Sequence, residues 1–399
     1  MTEPATPAAA DVPMRAIVLL AIAGFVSSAN LRVCDPLLPQ IASELGTTAG
    51  GAGMIVTAFA LSYGLFQIAA GPLGDAQGKL RMIVLGCLWA GAATIVSALM
   101  PSLTALVALR FLAGIGGAAI IPLSVAWLGD VVPYERRQLI LARFASGQIL
   151  GVIFGQAAGG ILGEIAGWRG AMLVVGLAHI IAGALLVAEM RRLTVGVPAP
   201  SRARWTEAAF AARDILRRRW ARILLATTFI EGLLMLGSFA FVGAHLHQRF
   251  GIGPGVIGLT IAAFGFGALA YVFAAGWLLR RWSQSRLMAT GIVLLTIGYG
   301  ALAITPWLWL APLAVTVGGL GFYMVHNTLQ TEATQLAPTA RGLAMSMFAM
   351  TIFTGQAVGV ALAGAALDRW GGAVVFLVAA TGLLAVISWF RLQLTARRD

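Results

Sequence analysis

The sequence predicts an all-α integral membrane protein with twelve transmembrane helices in two pseudo-symmetric bundles of six. Three observations predict this class. Of the 399 residues, 59% are hydrophobic and only 11% are charged, which is too few to cover a soluble globule. Apolar segments recur at lengths that cross roughly 30 Å of hydrocarbon. Basic residues collect in alternate gaps between these segments, as they do in membrane proteins.

Twelve apolar segments are candidate spans, six in each half of the chain. Those of the first half cover residues 15–38, 50–71, 81–100, 104–131, 139–163 and 171–190. Those of the second half cover residues 222–245, 256–279, 287–304, 309–330, 342–367 and 373–392. The predicted domains are therefore an N-terminal bundle over 1–190 and a C-terminal bundle over 222–399, joined by a cytoplasmic linker over 191–221. In the linker, Val197-Pro198-Ala199-Pro200 precedes a predicted basic amphipathic helix on the membrane surface.

The net charge of +12 could indicate nucleic-acid binding, but the basic residues lie between apolar spans rather than on one wetted surface. With a cytoplasmic N-terminus, 22 of the 27 Lys and Arg residues fall on the inner side and three, Arg169, Arg249 and Arg369, on the outer side; Arg32 and Arg110 lie within spans. We therefore predict a multi-pass protein of a bacterial-type inner (plasma) membrane, with both termini cytoplasmic and no nucleic-acid partner.

The two halves repeat a pattern. Pro133-Tyr134-Glu135-Arg136 before the fifth segment matches Pro338-Thr339-Ala340-Arg341 before the eleventh. Glycines recur in the two following segments, at Gly155, Gly159 and Gly160 and at Gly355, Gly359 and Gly364. Two parallel six-helix repeats are related by an axis along the membrane normal, and transporters of this build bind substrate where the halves meet. The alternative is that glycine-rich helices resemble each other through close packing alone.

A polar turn separates the second and third segments. In Gly71-Pro72-Leu73-Gly74-Asp75-Ala76-Gln77-Gly78-Lys79-Leu80-Arg81, Asp75 can accept hydrogen bonds from a helix N-terminus. Gly71 and Gly78 allow close backbone approach, while Lys79 and Arg81 hold the turn on one membrane face. The turn resembles the G-x-L-a-D-r-x-G-r-k signature of the major facilitator superfamily.

That resemblance implies a twelve-helix transporter and a conformational latch. Asp75 is expected to contact the start of the eleventh helix near Arg341 and the region of Arg136. Such a contact would hold the cytoplasmic side shut while the outer side is open.

The fourth segment carries Arg110-Phe111-Leu112-Ala113-Gly114-Ile115-Gly116, which resembles the superfamily's R-x-x-x-G-x-G pattern. In that family the Arg is linked to proton coupling and to carboxylates of the first and fourth helices. A guanidinium in the bilayer is costly unless it faces a cavity or a counter-ion. The alternative is that Arg110 extends to the membrane interface.

Arg32 and Asp35 lie three residues apart in the first segment, on one helix face, where they can neutralise each other. If Arg110 competes for Asp35, protonation of Asp35 favours a second arrangement, so a proton gradient could drive a conformational cycle. Otherwise the pair is structural. Glu231 in the seventh segment is either a second proton carrier or a neutral hydrogen-bonding partner of a neighbouring helix.

The tenth segment carries candidate substrate contacts. Tyr323, His326, Asn327 and Gln330 recur at helical spacing on one face, which is predicted to line the inner half of a pathway. Gln356 of the eleventh segment could add neutral hydrogen bonds, and Arg32 could hold an anion. His326 has the alternative of serving only as a hydrogen-bonding partner.

Metal and enzyme interpretations have weaker support. His326 with the methionines 324, 345, 347 and 350 offers soft ligands suited to Cu(I), but without a repeated ligand spacing. Four scattered His and two Cys within apolar segments provide no convergent catalytic set. We therefore predict no catalytic residue, no cofactor, no metal and no enzymatic activity.

The fifth segment contains Gly151-Val152-Ile153-Phe154-Gly155-Gln156-Ala157-Ala158-Gly159-Gly160, which resembles the G-x-x-x-G-P-x-x-G-G antiporter signature, with Gln156 at the Pro position. The resemblance implies proton-coupled efflux of small, largely apolar metabolites or drugs, as in the twelve-helix drug and sugar efflux branch. The alternative is proton-coupled uptake of a small, possibly anionic solute, because Arg32 could bind it and Gln156 departs from the signature. One chain holds both halves, so a monomer is expected to suffice.

Overall fold

A computed structural model describes residues 13–192, 205–337 and 340–397, and helices make up nearly all of them. The N-terminal half contains α1 (Met14–Arg32), α2 (Leu38–Glu44), α3 (Ala49–Ala52), α4 (Met54–Gln77), α5 (Lys79–Ser97), α6 (Leu103–Val131) and α7 (Tyr134–Met190). The C-terminal half contains α8 (Trp205–Arg217), α9 (Arg219–Glu231), α10 (Gly237–Phe239), α11 (Val242–Phe250), α12 (Pro254–Arg281), α13 (Gln284–Ile304), α14 (Leu310–Thr334), α15 (Arg341–Trp370) and α16 (Gly372–Ala396).

Ten helical segments in the described chain are long and apolar enough to cross a membrane. One of them, Glu135–Met190, contains two helices that meet at Gly167, where φ is +70°. The helix α14 has 25 residues, enough for a crossing, but polar side chains interrupt its inner half. Dividing α7 at Gly167 and including α14 gives the twelve predicted spans. In chain order they are α1 with α2, α3 with α4, α5, α6, the two parts of α7, α9 with α10 and α11, and then α12, α13, α14, α15 and α16.

Several spans extend beyond their predicted boundaries because local backbone geometry lets the chain continue. The prediction of a turn over residues 71–81 is wrong in its extent: the second span continues as a helix to Gln77, and only Gly78 separates it from the third span. A 3₁₀ turn at Asp35–Leu37 carries the first span past Pro36, so that it ends at Glu44 and not near residue 38. The fifth span continues beyond residue 163 to Gly167, where a single residue with positive φ turns the chain into the sixth span. Gly371, with φ of +80°, makes the matching turn between the eleventh and twelfth spans.

The recurring glycines make equivalent contacts in the two bundles. A Cβ at Gly155 would meet Ala29 of the first span, and a Cβ at Gly355 would meet Phe229 of the seventh. In the same way a Cβ at Gly159 would meet the Val33 carbonyl, and one at Gly359 would meet the Leu233 carbonyl. The repeated spacing therefore reflects equivalent helix packing in two matched halves.

The most extensive contacts between the bundles are those of α7 with α12 and of α4 with α15, and the outer ends of the first and seventh spans also touch. One apolar cluster contains buried residues of both bundles, including Leu38 and Ile55 from the first and Phe241 and Val360 from the second. It lies toward the face where the first span ends and the second begins, which the charge bias predicts to be external and which we call the outer face. The opposite face is called the inner face. The two bundles are thus packed together at the outer face.

The linker helix α8 occupies the position of the predicted amphipathic helix. Ile215 is buried against the protein, while Trp205 and Leu216 are exposed. The linker segment at residues 197–200 lies outside the described residues, as do Pro338 and Thr339 of the repeated motif.

Candidate functional site

The first polar pair lies where the first span bends. Arg32 Nη1 is 3.5 Å from Asp35 Oδ2, and both residues are buried. The 3₁₀ turn that begins at Asp35 places the pair beside the C-terminal bundle, where the Arg32 guanidinium lies 5.8 Å from the ring centroid of Phe239. Within the described structure neither carboxylate oxygen of Asp35 has a hydrogen-bond partner. The side chain of Gln156 lies next to this carboxyl group, and its amide atoms also lack partners among the described residues.

Arg110 lies deep inside the N-terminal bundle. Its Nη1 donates to Asn30 Oδ1 at 2.7 Å and its Nη2 donates to the Asn30 carbonyl oxygen at 3.0 Å. Its guanidinium also lies 4.3 Å from the ring centroid of Phe59. Asn30 Nδ2 in turn donates to Thr94 Oγ1 at 3.0 Å. Only 1% of Arg110 is exposed, so the alternative that it extends to the membrane interface is wrong.

The expected competition of Arg110 for Asp35 is not seen as a direct ion pair in the described structure. Asn30, which sequence reasoning passed over, binds the guanidinium and lies five residues before Asp35. The sequence did contain a signal for Asn30, which is a polar residue within the apolar first span. A buried amide in a membrane helix needs a partner on another helix.

The second polar pair joins two residues that were chosen separately. Glu231 ends α9 and is fully buried, and its Oε2 lies 3.1 Å from His326 Nδ1 of α14. His326 keeps 18% of its side chain exposed, and its ring stacks on Phe322 at 4.9 Å between centroids. Oε1 of Glu231 has no hydrogen-bond partner among the described residues. Each residue was predicted, as one alternative, to be a hydrogen-bonding partner of a neighbouring helix. The contact combines these two alternatives, because His326 is the partner of Glu231.

A π-helical turn at Gly232–Leu236 follows Glu231 directly. Tyr299 Oη donates to the carbonyl oxygen of Met235 at 2.8 Å, which satisfies one backbone group within the irregular turn. Such turns are frequent at functional sites because they redirect the neighbouring side chains. A Cβ at Gly232 would lie 3.1 Å from the backbone nitrogen of Gln356, so α15 packs against this turn.

Aromatic rings connect the two polar pairs. Phe239, which lies under Arg32, is 4.8 Å from Phe264 between ring centroids. Phe264 lies 5.7 Å from Phe322 and 6.1 Å from Tyr323, and Phe322 stacks on His326. Aromatic faces with a few polar groups at the ends are typical of sites for small, largely apolar ligands.

The other predicted substrate contacts lie on or near these rings. Tyr323, Asn327 and Gln330 are half-buried on α14, and Asn327 lies beside the Tyr271 hydroxyl. Gln356 is fully buried, and both of its side-chain amide atoms lack partners within the described part of the chain. The structure therefore leaves hydrogen-bonding capacity at Gln156, Gln356, Asp35 and Glu231.

A sequence model described as the Major Facilitator Superfamily matches residues 20–341 and 238–398, which together cover most of the chain. The chain belongs to the major facilitator superfamily. It is accordingly a multi-pass membrane transporter and not an enzyme, and it acts on a small-molecule substrate within a lipid bilayer.

Several curated relatives match this transporter over almost their whole length. A chloramphenicol resistance protein of Streptomyces lividans is 29% identical over 376 residues, which are 92% of this chain and 93% of that protein. The uncharacterized transporter YgaY of Escherichia coli O157:H7 is 28% identical over 391 residues, 94% of this chain and 95% of the relative. The inner membrane transport protein YnfM of Escherichia coli K12 is 22% identical over 386 residues, 93% and 89% of the two chains.

Solved structures share the fold. A bacterial homologue of the lysosomal transporter Spinster, in an inward-facing and unoccupied conformation, superposes with a TM-score of 0.71 at 16% identity, over 96% of this chain and 95% of the other. The nucleoside transporter NupG superposes with a TM-score of 0.77 at 13% identity, over 94% of this chain and 98% of the other. The predicted major facilitator fold is thereby confirmed.

The contacts predicted for the inner latch are not formed in the described structure. Asp75 is exposed and pairs with Lys79 at 3.7 Å, while Lys79 Nζ lies 2.6 Å from Asp130 Oδ2. Arg136 and Arg341 are exposed, and within the described residues neither forms an ion pair with Asp75.

Gly78 is the one non-helical residue between the second and third spans. Gly78 has φ of +93°, a conformation that suits glycine. The predicted close backbone approach at Gly71 and Gly78 is wrong, because a Cβ at either glycine would meet no atom within 4 Å. Arg81 is exposed beside the turn. Because the outer face is packed shut, an open inner latch is the state expected from the resemblance.

Sequence reasoning missed Asp130, the stronger partner of Lys79. Its signal was the position of a lone carboxylate at the inner end of the fourth span. As for metals, the described residues hold no group of three or more His, Cys, Asp or Glu side chains that could ligate an ion.

Proposed function

We propose that this transporter exports small, largely apolar metabolites or drugs in exchange for protons, by alternating access. One observation carries the proposal. Two buried carboxyl groups, Asp35 and Glu231, stand at the two ends of a series of aromatic rings that begins where the bundles meet. The aromatic faces suit an apolar substrate, and the acids can each carry one proton.

The two acids are suited to proton exchange because each has a carboxylate oxygen without a hydrogen-bond partner in the described structure. A charged carboxylate within the bilayer is costly unless it is paired, and Asp35 is paired with Arg32 while Glu231 is paired with His326. Protonation of either acid removes the charge that holds its partner. The released Arg32 or His326 is then free to contact the substrate or to change position, so proton binding and substrate binding influence each other through the same side chains.

Similarity to the chloramphenicol resistance protein of Streptomyces lividans favours export of an aromatic, hydrogen-bonding molecule. Such a molecule could lie on Phe264 and Phe322 while its polar groups bond Tyr323, Asn327, Gln330 or Gln356. We propose these side chains, with Arg32 and His326, as the substrate contacts.

The direction of coupling can be tested in proteoliposomes that contain a pH-sensitive dye. Chloramphenicol and a panel of other aromatic antibiotics are added outside, without an initial pH gradient. Under antiport, substrate entry expels protons and the lumen becomes alkaline, whichever way the transporter is inserted. Substrate uptake with no change of luminal pH would overturn proton coupling, and liposomes without protein provide the background.

Uptake by symport is the second candidate function. It is favoured by Arg32, whose Nη1 lacks a hydrogen-bond partner within the described structure and could bind an anionic group. In the same assay a symporter would carry protons in with the substrate and acidify the lumen. A small carboxylate that acidifies the lumen, in place of an aromatic antibiotic that makes it alkaline, would select this candidate.

Phe264→Ala is expected to raise the KM for aromatic substrates about tenfold, because the central ring of the series is lost. Phe264 contacts Phe239, Phe322 and Tyr323, and it is buried. The matched control is Phe266→Ala, since Phe266 lies two residues on in the same helix and is 60% exposed. Initial transport rates over a range of substrate concentrations measure the effect. Equal KM values for the two variants would contradict a substrate site on these rings.

We also propose that a single chain works in a bacterial inner membrane with both termini cytoplasmic. A membrane-impermeant maleimide is expected to label Ser43→Cys in intact cells, and to label Gln138→Cys only after the cells are permeabilised. Both positions are exposed, on opposite faces, and the native Cys34 and Cys87 are buried. Labelling of Gln138→Cys in intact cells would contradict the proposed orientation and indicate the opposite one.

A further inference from the structure

The outer face carries a second set of carboxylate contacts, which join one bundle to the other. Glu164 Oε2, on the fifth span, accepts a hydrogen bond from the backbone nitrogen of Gly255 at 2.8 Å. Gly255 is the second residue of α12, after Pro254, which has no N–H of its own. Glu164 therefore binds the first backbone N–H at the positive end of the eighth span.

The eleventh and second spans repeat the arrangement. Asp368 Oδ1 accepts from the backbone nitrogen of Gly50 at 3.1 Å, and Thr48 Oγ1 donates to Asp368 Oδ2 at 2.6 Å. Thr48 is the N-cap of the second span, because its Oγ1 also accepts from the Gly51 backbone nitrogen at 2.9 Å. Asp368 thus binds the N-terminus of Ala49–Gln77 in the opposite bundle.

Both contacts are built on the same local pattern. Each carboxylate lies four residues after a glycine that touches the same opposing helix. A Cβ at Gly160 would lie 2.8 Å from Gly258 Cα, and a Cβ at Gly364 would lie 2.9 Å from the Gly50 carbonyl oxygen. The glycines bring the helices close enough for a carboxylate one turn further out to reach the helix N-terminus.

We infer that Glu164 and Asp368 form a paired outer latch, which holds the transporter in the state with its outer face closed. The fifth and eleventh spans are equivalent in the two bundles, so each bundle contributes one carboxylate and one helix N-terminus. Opening of the outer face breaks both contacts at once, whereas the Asp75 latch acts at the other end of the molecule. Both carboxylates are positioning residues, and their role does not depend on substrate or on the direction of transport.

The experiment measures the distance between spin labels at Ser43→Cys and Gln248→Cys, in a background with Cys34→Ala and Cys87→Ala. The two label sites are exposed at the outer face, on the first span and on the seventh span of the opposite bundle. Opening of the outer face lengthens the distance. Each of Glu164→Gln and Asp368→Asn is expected to raise the ratio of open to closed molecules about threefold, and the double variant about tenfold, because exposed charges at helix ends have effects of this size.

Glu44→Gln is the matched control. Glu44 is also a carboxylate at the outer face, but it pairs with Arg169 and accepts from Trp168 Nε1 within its own bundle. Its removal is expected to leave the ratio within about twofold of the parent value. The variants keep side-chain size at exposed positions, and a single symmetrical peak in size-exclusion chromatography verifies their folding.

The amide variants keep an oxygen that can still accept the hydrogen bond, so Glu164→Ala with Asp368→Ala provides a second double variant. It is expected to favour the open state at least as much as the amide pair. If both double variants keep the parent distance distribution, the paired latch is wrong. The same holds if Glu44→Gln opens the outer face as much as they do.

Discussion

Glu231→Gln is expected to reduce substrate-driven proton movement about 100-fold or more, while binding of substrate is retained. Gln has the size of Glu and can still bond His326, but it cannot carry a proton. Glu231 is fully buried, and its Oε2 lies 3.1 Å from His326 Nδ1. If Glu231 carries the transported proton as proposed, the amide of Gln removes that step while keeping the contact with the ring. Luminal pH and substrate uptake, recorded together in proteoliposomes, measure the coupling.

Glu189→Gln is the control for this prediction. Glu189 is another buried carboxylate, but it pairs with Arg15 at 3.2 Å, with both partners in the N-terminal bundle and away from the aromatic series. Its variant is expected to keep full coupling. Asp35→Asn, tested in parallel, shows whether one acid or both carry protons. Normal coupling in both Glu231→Gln and Asp35→Asn would remove the proposed proton carriers, even if transport itself proceeds.

Arg110→Ala is expected to lower the free energy of unfolding by about 2–4 kcal/mol and to stop transport. The change removes two hydrogen bonds to Asn30 and the contact with the Phe59 ring, and it leaves the Asn30 side-chain oxygen without a donor inside the bundle. Arg110→Lys is expected to recover little of the loss, because an ammonium group cannot bond two oxygens in the planar geometry of a guanidinium. Unfolding in mixed micelles measures the stability of each variant.

A double-mutant cycle measures the interaction energy between Asn30 and Arg110 separately from their contacts with the rest of the bundle. Asn30→Ala with Arg110→Ala is expected to cost less than the sum of the two single changes, since each residue is the main partner of the other. Arg169→Ala is the comparison for an Arg at the outer face, where an exposed ion pair contributes about 0–1 kcal/mol. Wild-type stability and transport in Arg110→Lys would show that charge alone, and not guanidinium geometry, is required.

The spans and their repeat were predictable because they depend on local properties of the chain. Hydrophobic length sets where a helix can cross, and the recurrence of Gly155 and Gly159 as Gly355 and Gly359 marks equivalent packing surfaces. The two long segments around Gly167 were placed nearly correctly, although a single residue with positive φ joins them. The choice of Glu231 and His326 also came from the sequence, since polar groups in apolar helices are rare.

The partners of these residues could not be predicted in the same way. His326 is separated from Glu231 by 95 residues, Arg110 from Asn30 by 80, and Gly255 from Glu164 by 91. Membrane helices are apolar on all sides, so their periodicity does not show which face meets which neighbour. The rotation of each helix follows from where small residues allow backbones to touch.

By itself, the sequence predicted a membrane protein with twelve spans in two matched halves, because span length, basic bias and glycine spacing are properties of short segments. That it is a transporter followed from the resemblance of the segments around Asp75 and Arg110 to the major facilitator superfamily. Only the tertiary structure decided that Arg110 binds Asn30, that Glu231 binds His326 and that Glu164 and Asp368 join the bundles at the outer face. The physical reason is that these contacts depend on the rotation and depth of helices distant in the chain, which close packing of many side chains sets together.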